Sequence, residues 1–539
     1  MAVPPQVTHP AGYVQEVQSD VHTVTPVATS NTAFLGRALR GPVFQPVTCF
    51  SWGDYVATFG GLDETSSLSY AVSDFFRNGG GTAVVVRVFA PVSDQAGPHG
   101  AVGGTAFVTL GAGNGSSVLA ASSPGSWGND LRFRVTKPQA SEHVLQQVAQ
   151  AQGGVTTDQL FDLSIHDMGS QVTETFRNVT ASSGARRIGD VLAHDSVLAV
   201  AFPGADRPPD NAATSQPDWW SVPAGQGVWT QATGGDDGTP LRDEDVTQGI
   251  DALDRADLIN LMVLPPYDPD PGGPTPFKDV RQPVWDAAVE YCQKRRAVLL
   301  VDAPDEWTSV QKAAGDGISA VVTPSENAAI YFPWLIQADT PRPGAQRRYP
   351  PAASVAGVVA RTDATRGVWK APAGLDARID AQGPAVAMRD AENGELNPLG
   401  INCLRTMPAA GTVVWGARTT VGDDRLANQW KYLPVRRMAL FLEESLYRGT
   451  QWAVFEPNNE PLWASLRLNI GTFMADLFRQ GAFEGQTAAD AYFVHCGATT
   501  TTQSDIDRGI VNFVVGFAPL KPAEFVVLHL QQSAGARSA

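Results

Sequence analysis

The feature that most constrains the fold is a strand-like run close to the end of the sequence, residues 524–531, Glu-Phe-Val-Val-Leu-His-Leu-Gln. The preceding residues 518–522 contain two prolines, which fix φ and remove backbone donors. The run is therefore set apart from the rest of the chain. A lone strand leaves unpaired N–H and C=O groups along its edges. It must pair with a sheet edge, either in its own subunit or in a neighbouring one.

A second short run of this kind lies near the start of the sequence. Residues 12–17, Gly-Tyr-Val-Gln-Glu-Val, are separated from the next apolar block by Pro26. We interpret residues 1–26 and 519–539 as arms that complete sheets in adjacent copies of the chain. On this hypothesis the protein is a component of a lattice and not an enzyme.

Composition narrows the class of protein. A chain of 539 residues is too long for one core, so about three domains are expected. Its 52 glycines and 39 prolines favour many turns and strand connections over a helical bundle. The formal net charge of −16 argues against a nucleic-acid partner, because binding to phosphates requires a basic surface.

The cysteines and the hydropathy pattern indicate the compartment. Four cysteines lie far apart without a CxxC pair, which is typical of free thiols in a reducing cytoplasm. The N-terminal residues show no basic and apolar signal-peptide pattern. No apolar run reaches about 18 residues, so we expect no direct insertion into a membrane.

Helices alternate with continuous apolar strands in two parts of the sequence. Strands are predicted at 32–36, 82–88, 259–264 and 297–302, and helices at 65–78 and 283–296. An apolar strand followed by a helix and another apolar strand fits parallel pairing with both sheet faces covered. The pattern predicts an α/β middle domain formed by residues 27–90 and 241–349.

The intervening residues 91–240 have a different character. They are rich in Gly, Pro, Ser, Asp and Asn, with short alternating strands such as 131–135 and 161–165. We predict a β-rich inserted outer domain with long loops that face solvent.

The last part of the sequence begins with a segment, from about residue 342 to 400, that is predicted to be rich in turns. Helices are predicted to start at Pro434 and Pro461, because proline is favoured in the first helical turn. Strand-like runs follow at 491–496 and 510–516. These elements predict a C-terminal joining domain of mixed sheet and helices over residues 350–518. The predicted fold class is multidomain α+β with extended N- and C-terminal strand arms.

Motifs for catalysis or metal binding are missing from the sequence. It contains no HExxH pair, no GxxxxGK(S/T) phosphate loop and no GxSxG elbow. Adjacent acids such as Asp236 and Asp237 are more typical of a solvated surface than of catalytic carboxylates. We predict no catalytic residues, no metal and no cofactor. Two alternatives stay open: an α/β enzyme, and a ligand-binding surface module whose outer domain recognises its ligand.

A set of motifs spread over about half of the chain carries a resemblance to a known family. They are residues 10–17, Ala33-Phe34-Leu35-Gly36-Arg37-Ala38, Arg40-Gly41-Pro42, Phe59-Gly60-Gly61, residues 68–72, residues 75–80, Tyr331-Phe332-Pro333-Trp334, residues 355–363, residues 366–372, Leu396-Asn397-Pro398 with Gly400-Ile401-Asn402, Val414-Trp415-Gly416-Ala417-Arg418-Thr419 and residues 451–458. In their order and density these motifs resemble the tail sheath family of contractile phage tails and phage-tail-like contractile injection systems. Residues 91–240 contribute nothing to this resemblance.

The resemblance implies a function and a set of partners. Family members form hexameric rings in a helical array around an inner tube, with baseplate and cap proteins at the ends. The sheath assembles in a metastable extended state and contracts to drive the tube through a target membrane. It implies assembly in the bacterial cytoplasm, and residence in a virion tail or a released injection particle.

The resemblance also implies which residues link the subunits. The strand exchanged at the N-terminus would contain Tyr13, Val14, Glu16 and Val17. The one exchanged at the C-terminus would contain Phe525, Val526, Val527 and Leu528.

Four cations near the first C-terminal helix are candidates for facing the tube: Lys431, Arg436, Arg437 and Arg448. The equally weighted alternative is a mixed exposed face that Glu443 and Glu444 balance.

Overall fold

The computed structural model describes residues 23–92, 100–111, 115–153, 155–181, 184–202, 204–269, 277–338, 344 and 346–525. The chain divides into two compact units. The large unit contains the described residues of 29–365 and 372–433, and the C-terminal unit contains residues 23–28, 366–371 and 434–525. Each unit contains its own cluster of buried hydrophobic residues. Within the described residues, no helix combines the length and the apolar character that crossing a membrane requires.

Most of the secondary structure belongs to the large unit. Residues 32–87 form β1 (Thr32–Gly36), β2 (Pro46–Cys49), α1 (Trp52–Phe59), α2 (Ser67–Arg77) and β3 (Ala83–Arg87). Residues 107–231 form β4 (Phe107–Leu110), β5 (Ser117–Ala121), β6 (Leu131–Thr136), α3 (Glu142–Ala151), β7 (Leu160–Asp167), β8 (Thr173–Thr180), α4 (Ile188–Asp195), β9 (Ala199–Phe202) and β10 (Thr230–Gln231). Residues 243–332 form α5 (Asp243–Ala252), β11 (Leu261–Val263), β12 (Asp268–Pro269), β13 (Phe277–Lys278), α6 (Gln282–Lys294), β14 (Val298–Asp302), α7 (Val310–Asp316) and β15 (Ala328–Phe332).

The remaining elements follow in chain order. Residues 335–414 form β16 (Leu335–Ala338), β17 (Gln346–Tyr349), α8 (Ala352–Arg366), β18 (Gly383–Pro384), α9 (Asp390–Leu396), β19 (Ile401–Met407) and β20 (Gly411–Val414). The last elements are α10 (Leu433–Gly449), α11 (Glu460–Arg479), α12 (Ala488–Ala491), β21 (Tyr492–Cys496), α13 (Gln503–Asp507) and β22 (Phe513–Phe517).

An eight-stranded sheet forms the centre of the large unit, in the order β2-β3-β1-β11-β14-β15-β19-β20. The six inner strands pair in parallel, and β2 and β20 add an antiparallel strand at each edge. The predicted parallel pairing is confirmed, since Leu261 of β11 lies opposite Val298 of β14. All residues of β1, β3, β11, β14 and β15 are buried, as expected for strands covered on both faces.

Helix α8 corrects the prediction that residues 342–400 are mainly turns. Its first nine residues are all buried, so its sequence carries no one-sided apolar stripe for periodicity to reveal. The helix packs closely against α2: a Cβ at Gly357 would lie 2.4 Å from the carbonyl oxygen of Phe75. The Asp302 carboxylate accepts the N–H of Ala352 at 2.7 Å and so satisfies one free donor at the start of α8.

The structure also divides the chain differently from the boundary expected at residue 350. Strands β19 and β20 extend the large sheet, so residues 372–433 belong with the large unit. Pairing between β15 and β19 joins strands that are about seventy residues apart in sequence. That kind of long-range contact leaves no local signal in the sequence.

The strands between β3 and α5 form sheets of their own. These are a three-stranded sheet, β4-β5-β9, and a four-stranded sheet, β10-β6-β7-β8, over a separate buried cluster. The strands predicted at 131–135 and 161–165 are confirmed as parts of β6 and β7. Helices α3 and α4 lie in this segment and were not expected.

The C-terminal unit is built on α10 and α11. The helix starts expected at Pro434 and Pro461 are confirmed within one residue. The side chain of Asn459 accepts the N–H of Leu462 and caps α11. Met438, Leu442, Ile470, Phe473 and Leu477 of these two helices form much of the buried cluster.

Candidate inter-subunit site

The candidate site is the two-stranded antiparallel ribbon formed by β21 and β22 in the C-terminal unit. Tyr492 lies opposite Phe517, and Cys496 lies opposite Phe513. A two-stranded sheet is at best marginally stable by itself, so the ribbon depends on packing or on additional strands. Both of its strands were expected from the apolar runs at 491–496 and 510–516, and both are confirmed.

One face of the ribbon packs on the helices of the C-terminal unit. Alternate residues of each strand point the same way, and on this face they join the cluster formed with α10 and α11. The residues are Tyr492, Val494, Phe513, Val515 and Phe517. Cys496 and Phe513 also join a smaller cluster with Leu462 and Trp463 at the start of α11. The inner face therefore holds the ribbon in place.

The other face of the ribbon exposes apolar side chains. Phe493 and Val514 are each about half exposed. Phe493 lies opposite Gly516, and its ring covers that glycine so closely that a Cβ there would come within 2.2 Å of the ring. The ring of His495 lies 4.9 Å from the ring of Phe493, measured between centroids. Glycine at position 516 therefore lets the aromatic ring lie flat on the strand.

The outer edges of the ribbon are open within the described residues. There, neither β21 nor β22 pairs with a third strand, and a single bridge joins Phe483 to Pro519, just beyond the end of β22. An open edge presents a row of unpaired backbone donors and acceptors and can accept a strand from another chain.

The segment that precedes β1 is anchored in the same unit, which sequence reasoning did not anticipate. Val24 is buried with residues of α10 and lies against Gly449, where a Cβ would come 2.8 Å from the Val24 side chain. The Ser445 hydroxyl accepts the N–H of Val27 at 3.3 Å. The only sequence signal for this anchor is the isolated apolar pair Val24 and Val27 around Pro26.

The residues predicted for strand exchange fall almost entirely beyond the described part of the chain. Tyr13, Val14, Glu16, Val17, Val526, Val527 and Leu528 lie outside the described residues. Phe525 is described, belongs to no strand and is strongly exposed. The exchange itself stays a prediction.

The four cations predicted to face a tube are divided between the two units. Arg436, Arg437 and Arg448 share helix α10, whereas Lys431 belongs to the large unit and forms an ion pair with Asp424 at 2.6 Å. Arg448 contacts Glu444 at 2.7 Å, and Arg436 lies 3.8 Å from Glu443. Arg437 is buried, while Arg448 keeps about a third of its side chain exposed.

Two buried acids in the large unit are the strongest candidates for chemistry. Asp302 ends β14, and burial raises its pKa to about 8. Burial also raises the pKa of Asp74 on α2 to about 7, although Arg77 and a hydrogen bond from Gln337 oppose this rise. Both acids line a cavity of about 20 Å³, which is room for about one water molecule.

Structural partners account for both acids. Asp302 accepts the N–H of Ala352, and Asp74 accepts a hydrogen bond from Gln337 at 3.1 Å. The Arg347 guanidinium fills the wall of the cavity, 5.0 Å from the ring centroid of Tyr70 and 5.5 Å from that of Tyr349. The arrangement holds the β16–β17 hairpin in place.

Comparison with known proteins identifies two domains. A model of the phage tail sheath protein central domain matches residues 245–420, and a model of the phage tail sheath C-terminal domain matches residues 427–533. Together they cover more than half of the chain. The tail sheath protein of Enterobacteria phage T4 is 27% identical over 193 residues, which are 35% of this chain and 28% of the T4 protein. The match thus spans less than a third of that relative.

Solved structures share the fold over nearly the whole chain. The sheath of an extracellular contractile injection system, PVC, in its contracted state has a TM-score of 0.55 at 22% identity, covering 98% of this chain and 99% of that one. The sheath tail protein Lin1278 of Listeria innocua has a TM-score of 0.58 at 12% identity, covering 92% and 96%. On the evidence of the two matched domains, the related T4 sequence and the shared fold, this chain belongs to the phage tail sheath family.

Proposed function

We propose that the chain is the structural subunit of a contractile sheath. It polymerises around an inner tube and contracts from a metastable extended state to drive the tube through a target membrane. The observation that carries this proposal is the open-edged ribbon β21–β22, in the unit where the chain also anchors residues 24–27.

Strand exchange would supply the linkage between subunits. The edges of the ribbon accept strands that contain Tyr13, Val14, Glu16 and Val17 and strands that contain Phe525, Val526, Val527 and Leu528, each from neighbouring copies. Main-chain hydrogen bonds within such a sheet survive when the attached bodies rotate, so the lattice stays connected during contraction. A head-to-tail contact that does not close generates an open helical assembly.

The partners follow from this arrangement. Other copies form hexameric rings in a helical array, an inner tube lies along the axis, and baseplate and cap proteins close the ends. A structurally similar protein occurs in the baseplate of the anti-feeding prophage. The subunit assembles in the bacterial cytoplasm and functions in a virion tail or a released injection particle. Arg448, Arg436 and Lys431 are proposed to contact the tube, with Arg448 contributing most because more of its side chain is exposed. Arg437, which is buried, is left out of this proposal.

The alternative of an α/β enzyme is less well supported. The acids Asp74 and Asp302 each hold a structural hydrogen bond, and the cavity beside them has room for about one water molecule. We therefore propose a structural role that depends on no catalysis.

Removal of either arm tests the proposal. Chains lacking residues 1–20 or 522–539 are expected to keep the fold of the subunit and to lose polymerisation, because the ribbon then receives no strand. Circular dichroism and thermal unfolding report the fold, and sedimentation with negative-stain microscopy reports filaments. Deletion of residues 534–539, Ala-Gly-Ala-Arg-Ser-Ala, is the matched control, since it spares the strand-like run. Normal filaments from either long truncation contradict the proposal.

A further inference from the structure

Phe455 is the most exposed large hydrophobic residue in the described part of the chain. Its side chain is fully exposed, and the preceding Val454 is more than half exposed. The two residues lie in the loop between the 3₁₀ turn Gln451–Ala453 and α11. A phenylalanine kept wholly in water forgoes the stabilisation that burial of its ring would give.

The loop holds Phe455 in a fixed position. Trp452 and Ala453 pack on the cluster of Leu462 and Trp463. On the other side, the Asn458 side chain accepts a hydrogen bond from the Trp463 ring nitrogen at 2.9 Å and donates one to the carbonyl of Ile510 at 3.0 Å. Phe455 itself has φ of 72°, a left-handed conformation that a bulky residue adopts only where its surroundings impose it. The side chain is thus presented in advance of any contact.

The base of this loop lies at one end of the ribbon β21–β22. The cluster under Trp452 and Ala453 includes Cys496, the last residue of β21, and Phe513, the first residue of β22. A neighbouring copy that adds a strand to the ribbon therefore brings its own body close to the loop.

We propose that Phe455 is an anchor that inserts into a second copy of this chain in the assembled sheath. The inference rests on the proposed function, since it takes the neighbour to be the copy that exchanges strands with the ribbon. An aromatic side chain carried on a pre-positioned backbone is the type of residue that dominates the binding energy of protein interfaces. The loop thus adds a side-chain contact between subunits to the backbone hydrogen bonds of the exchanged strands.

Photo-crosslinking identifies the protein that Phe455 contacts in the assembled sheath. The full-length chain is made with p-benzoylphenylalanine in place of Phe455, assembled with its tube, irradiated and resolved by mass. The control carries the same amino acid at Phe50, which is 69% exposed in the large unit. The expected product is a chain-to-chain adduct from position 455 that exceeds the adduct from position 50. An adduct with the tube or another component, or an equal yield at the two positions, overturns the inference.

Substitution separates this inference from the proposed function. Phe455→Ala is expected to raise the critical concentration for polymerisation by about tenfold or more, as removal of an interface anchor does. Phe50→Ala is expected to leave it unchanged, and thermal unfolding of both variants is expected to match the parent chain. If Phe455→Ala polymerises like the parent chain, the inference that Phe455 is an anchor is wrong, while the proposal of a contractile sheath stands. If the parent chain forms no filaments even with its tube, both proposals are overturned.

Discussion

The two units of the molecule differ in how many large hydrophobic residues they expose. Sixteen large hydrophobic residues are exposed among those that the structure describes, and eight of them belong to the C-terminal unit, which contributes only about a fifth of the described residues. These eight include four aromatic residues, Tyr447, Phe455, Phe493 and Phe525, against one, Phe50, in the large unit.

The sheets of the two units show the same contrast: the strands of the large unit are more completely buried and paired. The large unit completely buries five of the six inner strands of its main sheet, whereas the C-terminal unit leaves a two-stranded ribbon open at its edges within the described residues. The large unit thus buries most of its own main sheet, and under the proposed function the C-terminal unit is the one that neighbouring copies complete. Substitutions in the large unit should therefore change the stability of the subunit, and substitutions in the C-terminal unit should change its assembly.

The largest effect on stability is expected in the central sheet of the large unit. Leu299 is fully buried in β14, so Leu299→Ala removes apolar contacts and leaves a cavity. It is expected to lower the free energy of unfolding by about 2–5 kcal/mol, measured by urea unfolding. Val197→Ala, at a strongly exposed position of the same unit, is expected to change it by less than about 0.5 kcal/mol. If the two substitutions lower the free energy of unfolding equally, burial in the central sheet does not determine the stability of the large unit.

A smaller effect on the free subunit and a stronger effect on assembly are expected at the ribbon. Gly516→Val forces a side chain against the ring of Phe493, an overpacking that typically costs about 1–3 kcal/mol. The displaced ring should distort the strand edges and prevent filament formation, which sedimentation measures. Val514→Thr, at the exposed face of the same strand, is the control and is expected to keep filaments. Filaments of Gly516→Val with the parent's critical concentration would show that the ribbon is not a linkage.

The last comparison concerns pH and involves the large unit alone. Burial raises the folded-state pKa of Asp302 to about 8 and that of Asp74 to about 7, well above the ordinary aspartate value of 3.8. A carboxyl group with a raised pKa favours the folded state fully below the unfolded value, and this contribution is lost as pH rises through the folded value. The free energy of unfolding should therefore fall between about pH 4 and pH 8.

Isosteric variants show which carboxyl group causes the fall in the free energy of unfolding with pH. Asp302→Asn keeps an acceptor for the N–H of Ala352 and should flatten the fall in stability with pH. Asp424→Asn is the control, because the hydrogen bond from Lys431 lowers the pKa of Asp424 and its contribution is lost only at acidic pH. Chemical unfolding at several pH values measures the difference. An unchanged slope in Asp302→Asn would show that this carboxyl does not titrate in the window.

Local periodicity predicted many of the elements well. The strand at 32–36 and the two long C-terminal helices carry either a continuous apolar run or a one-sided apolar stripe with proline in the first turn. Helix α8 carries neither signal, because nearly every side of its first turns is buried. Strands β19 and β20 were not placed in the large sheet for a different reason: pairing between strands distant in sequence leaves no local signal.

The candidate site was predicted only in part. The apolar runs at 491–496 and 510–516 predicted its two strands, but not that they pair with each other and with no further strand among the described residues. Nothing in the pattern of residues 451–458 indicates that Phe455 points into solvent while Trp452, three residues earlier, packs inward. The arms themselves stay a prediction.

The sequence by itself determined many of the strands and helices, that two Pro-punctuated ends flank them, and which family the motifs resemble. These properties depend on neighbours within a few residues, so a linear pattern records them. Only the tertiary structure decided that the ribbon has no third strand among the described residues, that Val24 is held against Gly449, and that Asp302 meets the start of α8. Each of these depends on contacts between residues distant in sequence, and such contacts exist only once the chain has packed.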